Sequence, residues 1–310
     1  MNRDWGIGST TFLYTLWGLW WFDSVLSCLI AFGLLYLMLG QNFDHLSKVL
    51  PVWMVPLMTL IAASASGGLF ARSLLPHSHM LAILSVFVSV TMLAIGLSFT
   101  MMLTTAFLLR LYLHSALDAR VVLTTFMTLT PLGQGGYSML VNGQDIANLF
   151  VQHAAFGSVP PSCGNIIYSV CICGAYVLWS MGVAWIVISC FSIRCARKLP
   201  QFSLGHWCVV VPNGVFAALS LQFGVVFDSA FFCVFGAVWA CVVFALWLFL
   251  FCRSVVAIWD GSMFIKPGAT TAKPTAALIQ GEVAEGKVVE RVLPQTVVLP
   301  GLTPSGVESS

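Results

Sequence analysis

Charge is what this chain lacks. Of its 310 residues, 13 are Lys or Arg and 11 are Asp or Glu, so charged side chains make up 8% against 59% hydrophobic ones. An average soluble domain carries roughly a quarter charged residues; a share this small cannot clothe a surface in water and points to a chain that crosses membranes many times. The net charge of +2 says little, because in a membrane protein the placement of charge matters more than its sum. There is no basic face on which nucleic acid could rest. Signatures of catalysis and cofactor binding are missing as well: no nucleophile elbow, no HExxH, no phosphate-binding glycine loop and no paired carboxylates within an apolar run. Neither an enzyme activity nor a cofactor is expected. The ten cysteines form no CxxC pair and no Cys/His cluster with metal spacing. Most sit in apolar runs (Cys28, Cys171, Cys173, Cys190, Cys233, Cys241 and Cys252), where they read as small packing residues.

What is present is a series of long apolar runs, at 10–40, 51–71, 79–113, 121–141, 163–194, 207–226 and 229–257. Each is long enough to cross a bilayer as a helix, which predicts an all-α integral membrane domain over residues 1–259. Residues 260–310, rich in Pro, Gly, Thr, Val and Glu without helical periodicity, are expected to form a disordered cytoplasmic tail. One set of joints holds Lys48, Arg110 with Arg120, Arg194 with Arg197 and Lys198, and Arg253. The opposite set holds Arg3 and Arg72, with Asp145, Asp228 and His153 among its polar residues. The positive-inside rule places the first set, and the C-terminus, in the cytoplasm. The N-terminus then lies outside, although Met1 to Ser9 is too short for a signal peptide. An odd number of helices upstream would return it to the cytoplasm.

Within the fourth run stands Pro131-Leu132-Gly133-Gln134-Gly135-Gly136-Tyr137. Irregular chain at membrane depth survives only inside protein or beside a water-filled path, so Pro131, Gly133, Gln134, Gly135, Gly136 and Tyr137 are candidate pathway residues. Gln134 can donate two hydrogen bonds and Tyr137 one. Pro212 and Gly214 interrupt the sixth run in the same way, and freed backbone N–H groups there could face an anion. Ser64, Ser66, Gly67 and Gly68 form a second small, polar patch. Close helix packing competes with pore lining at each of these places. The same two readings apply to Ser85, Ser89, Gly96, Thr100 and Thr104 in the third run, whose hydroxyls could also bond back to their own helix. Asp23 is the acid deepest in an apolar run, with Arg110 as a conceivable partner. Trp20, Trp21, Trp53, Trp207 and Trp259 are expected mostly at bilayer interfaces.

Six segments, in order, resemble the fungal sulfite efflux pumps of the tellurite-resistance/dicarboxylate transporter family. They are Trp20 to Ser27, Gly33 to Met38, Pro51 to Pro56, Ala62 to Gly68, Leu109 to His114 and the Pro131–Tyr137 run. The resemblance implies ten helices in five hairpins around a pore, often as a trimer, with the first segment here matching the family's fourth helix. It implies a plasma-membrane transporter whose substrate is a small anion, sulfite or bisulfite, moved outward. Alternatives are a dicarboxylate (malate) permease on the same scaffold, a truncated non-transporting paralogue and, more distantly, a seven-helix receptor. The chain departs from the family pattern at Thr130, where glycine is usual. It departs again at Val211, which stands where relatives carry a phenylalanine that occludes the pore, so the resemblance puts a smaller gate at Val211.

Overall fold

In the computed structural model, residues 10–40, 49–114, 122–152, 160, 162–196 and 202–260 are described. Among them the regular structure is helical, as the apolar runs require: α1 (Thr10–Leu39), α2 (Val55–Leu74), α3 (His79–His114), α4 (Leu129–Gln152), α5 (Ser162–Cys195), α6 (Val210–Val226) and α7 (Ala230–Trp259). The chain divides into one unit over Met1–Ser254 and a second over Val255–Ser310. Of the second, only the last turn of α7 and Asp260 are described; the expected tail at 261–310 lies outside the described residues.

Long and short helices alternate. The odd-numbered helices run to 30, 36, 34 and 30 residues, whereas α2, α4 and α6 have 20, 24 and 17. Each short helix is entered through a 3-10 segment, Pro51–Met54, Val122–Thr128 and Leu204–Val209 respectively, and carries a proline in its first turn: Pro56, Pro131 and Pro212. A proline there costs nothing in hydrogen bonding, since the first four N–H groups of a helix have no partner within it. The 3-10 segment before α4 touches those before α2 and α6, so the three short helices begin at one end of the bundle.

They also run parallel. Ile61, Ser64 and Gly68 of α2 lie beside Gly135, Ser138 and Asn142 of α4, and Gly133 and Gly136 of α4 lie beside Val215 and Leu219 of α6. α4 is therefore the central inner helix, and α3 and α5 back it from outside. The α6–α7 turn closes through Asp228 at φ 47°, a left-handed residue of the kind that commonly ends a helix.

Six of the seven helices are long and apolar enough to cross a membrane; α4 is not. The fourth run, read from sequence as a span over 121–141, is instead a 3-10 segment followed by a helix reaching Gln152. The irregular stretch precedes the glycines, and the Pro131–Tyr137 run is itself α-helical. Asp145, placed in a joint by the sequence, therefore lies within α4.

The small residues are where the helices meet. A Cβ on Gly67 would collide with Ser89 Oγ and the Trp20 ring, and one on Gly96 would stand 2.8 Å from Ile61. The hydroxyl stripe of α3 resolves to helix packing: Ser85, Ser89, Thr100 and Thr104 are buried, and Ser85, Thr100 and Thr104 bond back to their own helix. Trp20, expected at a bilayer interface, is buried and donates its indole N–H to the Ala63 carbonyl at 2.9 Å.

Gly133 gives the sharpest test of this packing. Its missing Cβ would lie 2.9 Å from the Phe216 backbone nitrogen, whereas Gly18 on α1 has nothing within 4 Å. Gly133→Ala is expected to lower stability by about 1–3 kcal/mol through overpacking. Gly18→Ala should be neutral or slightly stabilising, because alanine is the better helix former. Thermal unfolding of the two purified variants in detergent checks the contrast.

Candidate functional site

The polar residues of α4 divide by direction. At about 100° per residue, the positions that meet α2 (Ser138, Asn142, Asp145) and those that meet α6 (Gly133, Gly136) lie on nearly opposite sides. A third side is backed by the outer helices, Gly135 against Leu97 and Leu178, and Gly143 against Cys171 and Tyr168. The remaining side, between α2 and α6, carries Thr130, Gln134, Tyr137, Gln144 and Asn148, each at least partly open. Their spacing of i, i+4, i+7, i+14 and i+18 makes one stripe along the helix, interrupted at i+11 by the buried Val141.

α2 and α6 flank this stripe with open sides of their own. On α2 the open line is Val55, Thr59, Ala62, Ser66, Leu69 and Ser73; on α6 it is Val211, Gly214, Ala218, Gln222 and Val225. Both face away from the outer helices that pack behind them. The three inner helices thus expose a shared face with amides, a phenol and hydroxyls along its middle.

The sequence-level candidates separate on this face. Gln134, Tyr137, Ser66, Gly214 and Val211 are open on it, and Val211 is 61% exposed near the end where the helices start. Pro131 and Pro212 are buried beside it. Gly67, Gly68, Gly133, Gly135 and Gly136 lie at helix contacts, where the absence of a side chain lets backbones approach. Ser64 is fully buried, its hydroxyl 2.8 Å from that of Ser138.

Under the stripe, α2 and α4 share a polar seam that sequence reading missed. The Asn142 amide donates to the Ser138 carbonyl at 2.9 Å, and lies 3.1 Å from Ser138 Oγ and 3.2 Å from Ser64 Oγ. The carbonyl partner fixes which end of the amide is the nitrogen. Beyond it Arg72 Nε donates to Asp145 Oδ1 at 2.9 Å, and Arg72 Nη2 to Gln144 Oε1 at 2.8 Å. This is the ion pair found among the described residues.

Asp23 and Arg110 do not form one. Asp23 is exposed on α1 at about the depth of Ser64, while Arg110 is buried on α3 near the start of α2. The helical rise of 1.5 Å per residue sets them roughly 20 Å apart along the bundle. No group of three or more His, Cys, Asp or Glu among the described residues could hold a metal.

Residues 3–255 match the voltage-dependent anion channel family. The chain belongs to that family. Curated relatives are sulfite efflux pumps. Those of Trichophyton rubrum and Arthroderma benhamiae are each 27% identical over 251 residues, covering 81% of this chain and 64% of theirs. That of Candida albicans is 24% identical over 150 residues, covering 47% of this chain and 31% of its own. This chain therefore spans about 64% of the length of the longer-matching relatives. No solved structure matches it.

For this member of the voltage-dependent anion channel family, the α2–α4 seam is a stability element that can be measured directly. Asn142→Ala removes the buried donor that bridges Ser64 of α2 and Ser138 of α4, leaving the two hydroxyls only each other. The net loss is about 0.5–1.5 kcal/mol per hydrogen bond, so the variant should unfold at lower temperature. Ser169→Ala, at an exposed hydroxyl of α5 bonded within its own helix, should not.

Proposed function

We infer that this chain is an anion transporter of the plasma membrane, that sulfite or bisulfite is its substrate, and that the ion moves outward along the open face of α2, α4 and α6. The observation that carries the reading is the α4 stripe. It offers hydrogen-bond donors from Gln134, Tyr137 and Thr130 along one line, with no acid open on it; Asp145 is turned under the stripe and tied to Arg72. A conducting path for an anion needs such donors without fixed negative charge.

The inner helices add a field of the right sign. All three start at one end, so their partial positive charges gather there. The joints leading into those starts carry Lys48, Arg120, Arg197 and Lys198 in the sequence, which by the positive-inside rule makes this the cytoplasmic end. Export would begin where the positive potential is greatest. Val211 sits at that end, and it is the family resemblance that puts the occluding position there. The family resemblance supplies sulfite as the ion and a homotrimer as the assembly; the C-terminus lies in the cytoplasm.

The test is efflux of labelled sulfite from a sulfite-sensitive yeast lacking its own exporter, with surface expression measured alongside. The parent chain is expected to restore efflux. Gln134→Leu, which keeps the size but removes the donors, should cut the rate at least tenfold at equal surface level. Val211→Phe should also slow efflux by adding bulk at the inner end. Absence of efflux from well-localised parent chain would refute the reading, and uptake of labelled malate in the same cells would redirect it to dicarboxylates.

A further inference from the structure

Arg72 sits in the last turn of α2, at the opposite end of the inner face from Val211. Its two partners on α4 are neighbours in sequence but point about 100° apart: Asp145 beneath the face, Gln144 on the open stripe. To bond both, the guanidinium has to lie across the stripe, about 15 Å outward of Gln134 at 1.5 Å per residue. The Arg72 side chain is 42% exposed, while that of Asp145 is 4%. The carboxylate is therefore buried in the seam, while the arginine that holds it keeps a substantial part of its side chain open.

The hydrogen-bond pattern is informative. Arginine and a carboxylate commonly pair fork to fork through two parallel bonds. Here Asp145 accepts only from Nε, and Nη2 is given to the neutral Gln144. Asp145 Oδ2 is buried without a hydrogen-bond partner among the described residues. Of the five guanidinium N–H bonds, two are spent on orientation. Those on Nη1 and the second on Nη2 are uncommitted and form a planar, two-point donor edge held in place from behind.

We propose that Arg72 is an oxyanion-binding station at the outer end of the pathway, oriented and partly neutralised by Asp145. This deepens the transport reading above and rests on it. The donor edge matches two oxygens of one small oxyanion such as sulfite, a match that a spherical halide cannot make. Asp145 supplies the second requirement of a conducting site, binding weak enough for release. A bare arginine would hold the ion; a paired one attracts it through oriented N–H groups with much of the charge cancelled. Gln144 keeps the edge facing the path.

The experiment uses the full chain purified in detergent, titrated with sulfite at constant ionic strength with chloride as competitor, following thermal unfolding by intrinsic fluorescence. The parent is expected to show saturable stabilisation by sulfite over chloride. In Arg72→Gln the half-saturating sulfite concentration should rise at least tenfold. Arg72→Lys keeps the charge without the fork, and should lose the preference for sulfite over chloride. Asp145→Asn should bind sulfite more tightly than the parent, an effect that a merely structural ion pair would not produce. Ser169→Ala serves as the unchanged control. Equal sulfite binding by the parent and Arg72→Gln overturns the proposal, and so does a parent with no saturable response. A parent that binds sulfite in this assay yet exports none from cells leaves the station standing and refutes only the transport reading.

Discussion

A backbone or side-chain polar group that meets lipid unpaired costs several kcal/mol, and α4 is built almost entirely around that cost. It carries Thr130, Gln134, Ser138, Asn142, Gln144, Asp145 and Asn148 within 24 residues. Such a helix is not apolar enough to face a bilayer on its own, and the architecture follows from enclosing it. α2 covers one side through the Ser64–Ser138–Asn142 seam, α6 covers the other, and α3 and α5 stand behind. One side alone is left uncovered by these helices, and it is polar.

The glycines make that enclosure possible. Gly133 and Gly136 bring α4 against α6, Gly68 brings α2 against α4, and Gly67 and Gly96 bring α2 against α1 and α3. Without a hydrophobic force between helices in lipid, close van der Waals packing is what holds them. The glycines that suggest a pore in the sequence thus act as packing residues at helix contacts. They let three short helices lie parallel and close enough to share a face, on which the side chains of Gln134 and Tyr137 stay partly open.

Much of the fold is legible in the sequence because a bilayer imposes length and apolarity on each span separately. Six of the seven apolar runs return as helices close to their expected limits. The fourth does not, because its helix owes its place to neighbours and need not be apolar throughout. For the same reason Asp145 reads as a loop residue: nothing near it in sequence reveals that Arg72, 73 positions earlier, will reach it. Asp23, conspicuous because its own run is apolar, lies on an exposed side of α1 without that partnership.

Composition and run length by themselves determine that this chain is a helical membrane protein with little charge, and an ordered set of motifs indicates its family. These are local quantities, set by what each segment must exchange with lipid. Tertiary structure alone decides which small residues pack and which polar ones face the open side. It makes Ser64 and Gly133 contacts, leaves Gln134 and Tyr137 open, and lays Arg72 across α4. That choice depends on the rotation and register of parallel helices, which arise from contacts between segments far apart in the chain and leave no periodic signal in any one of them.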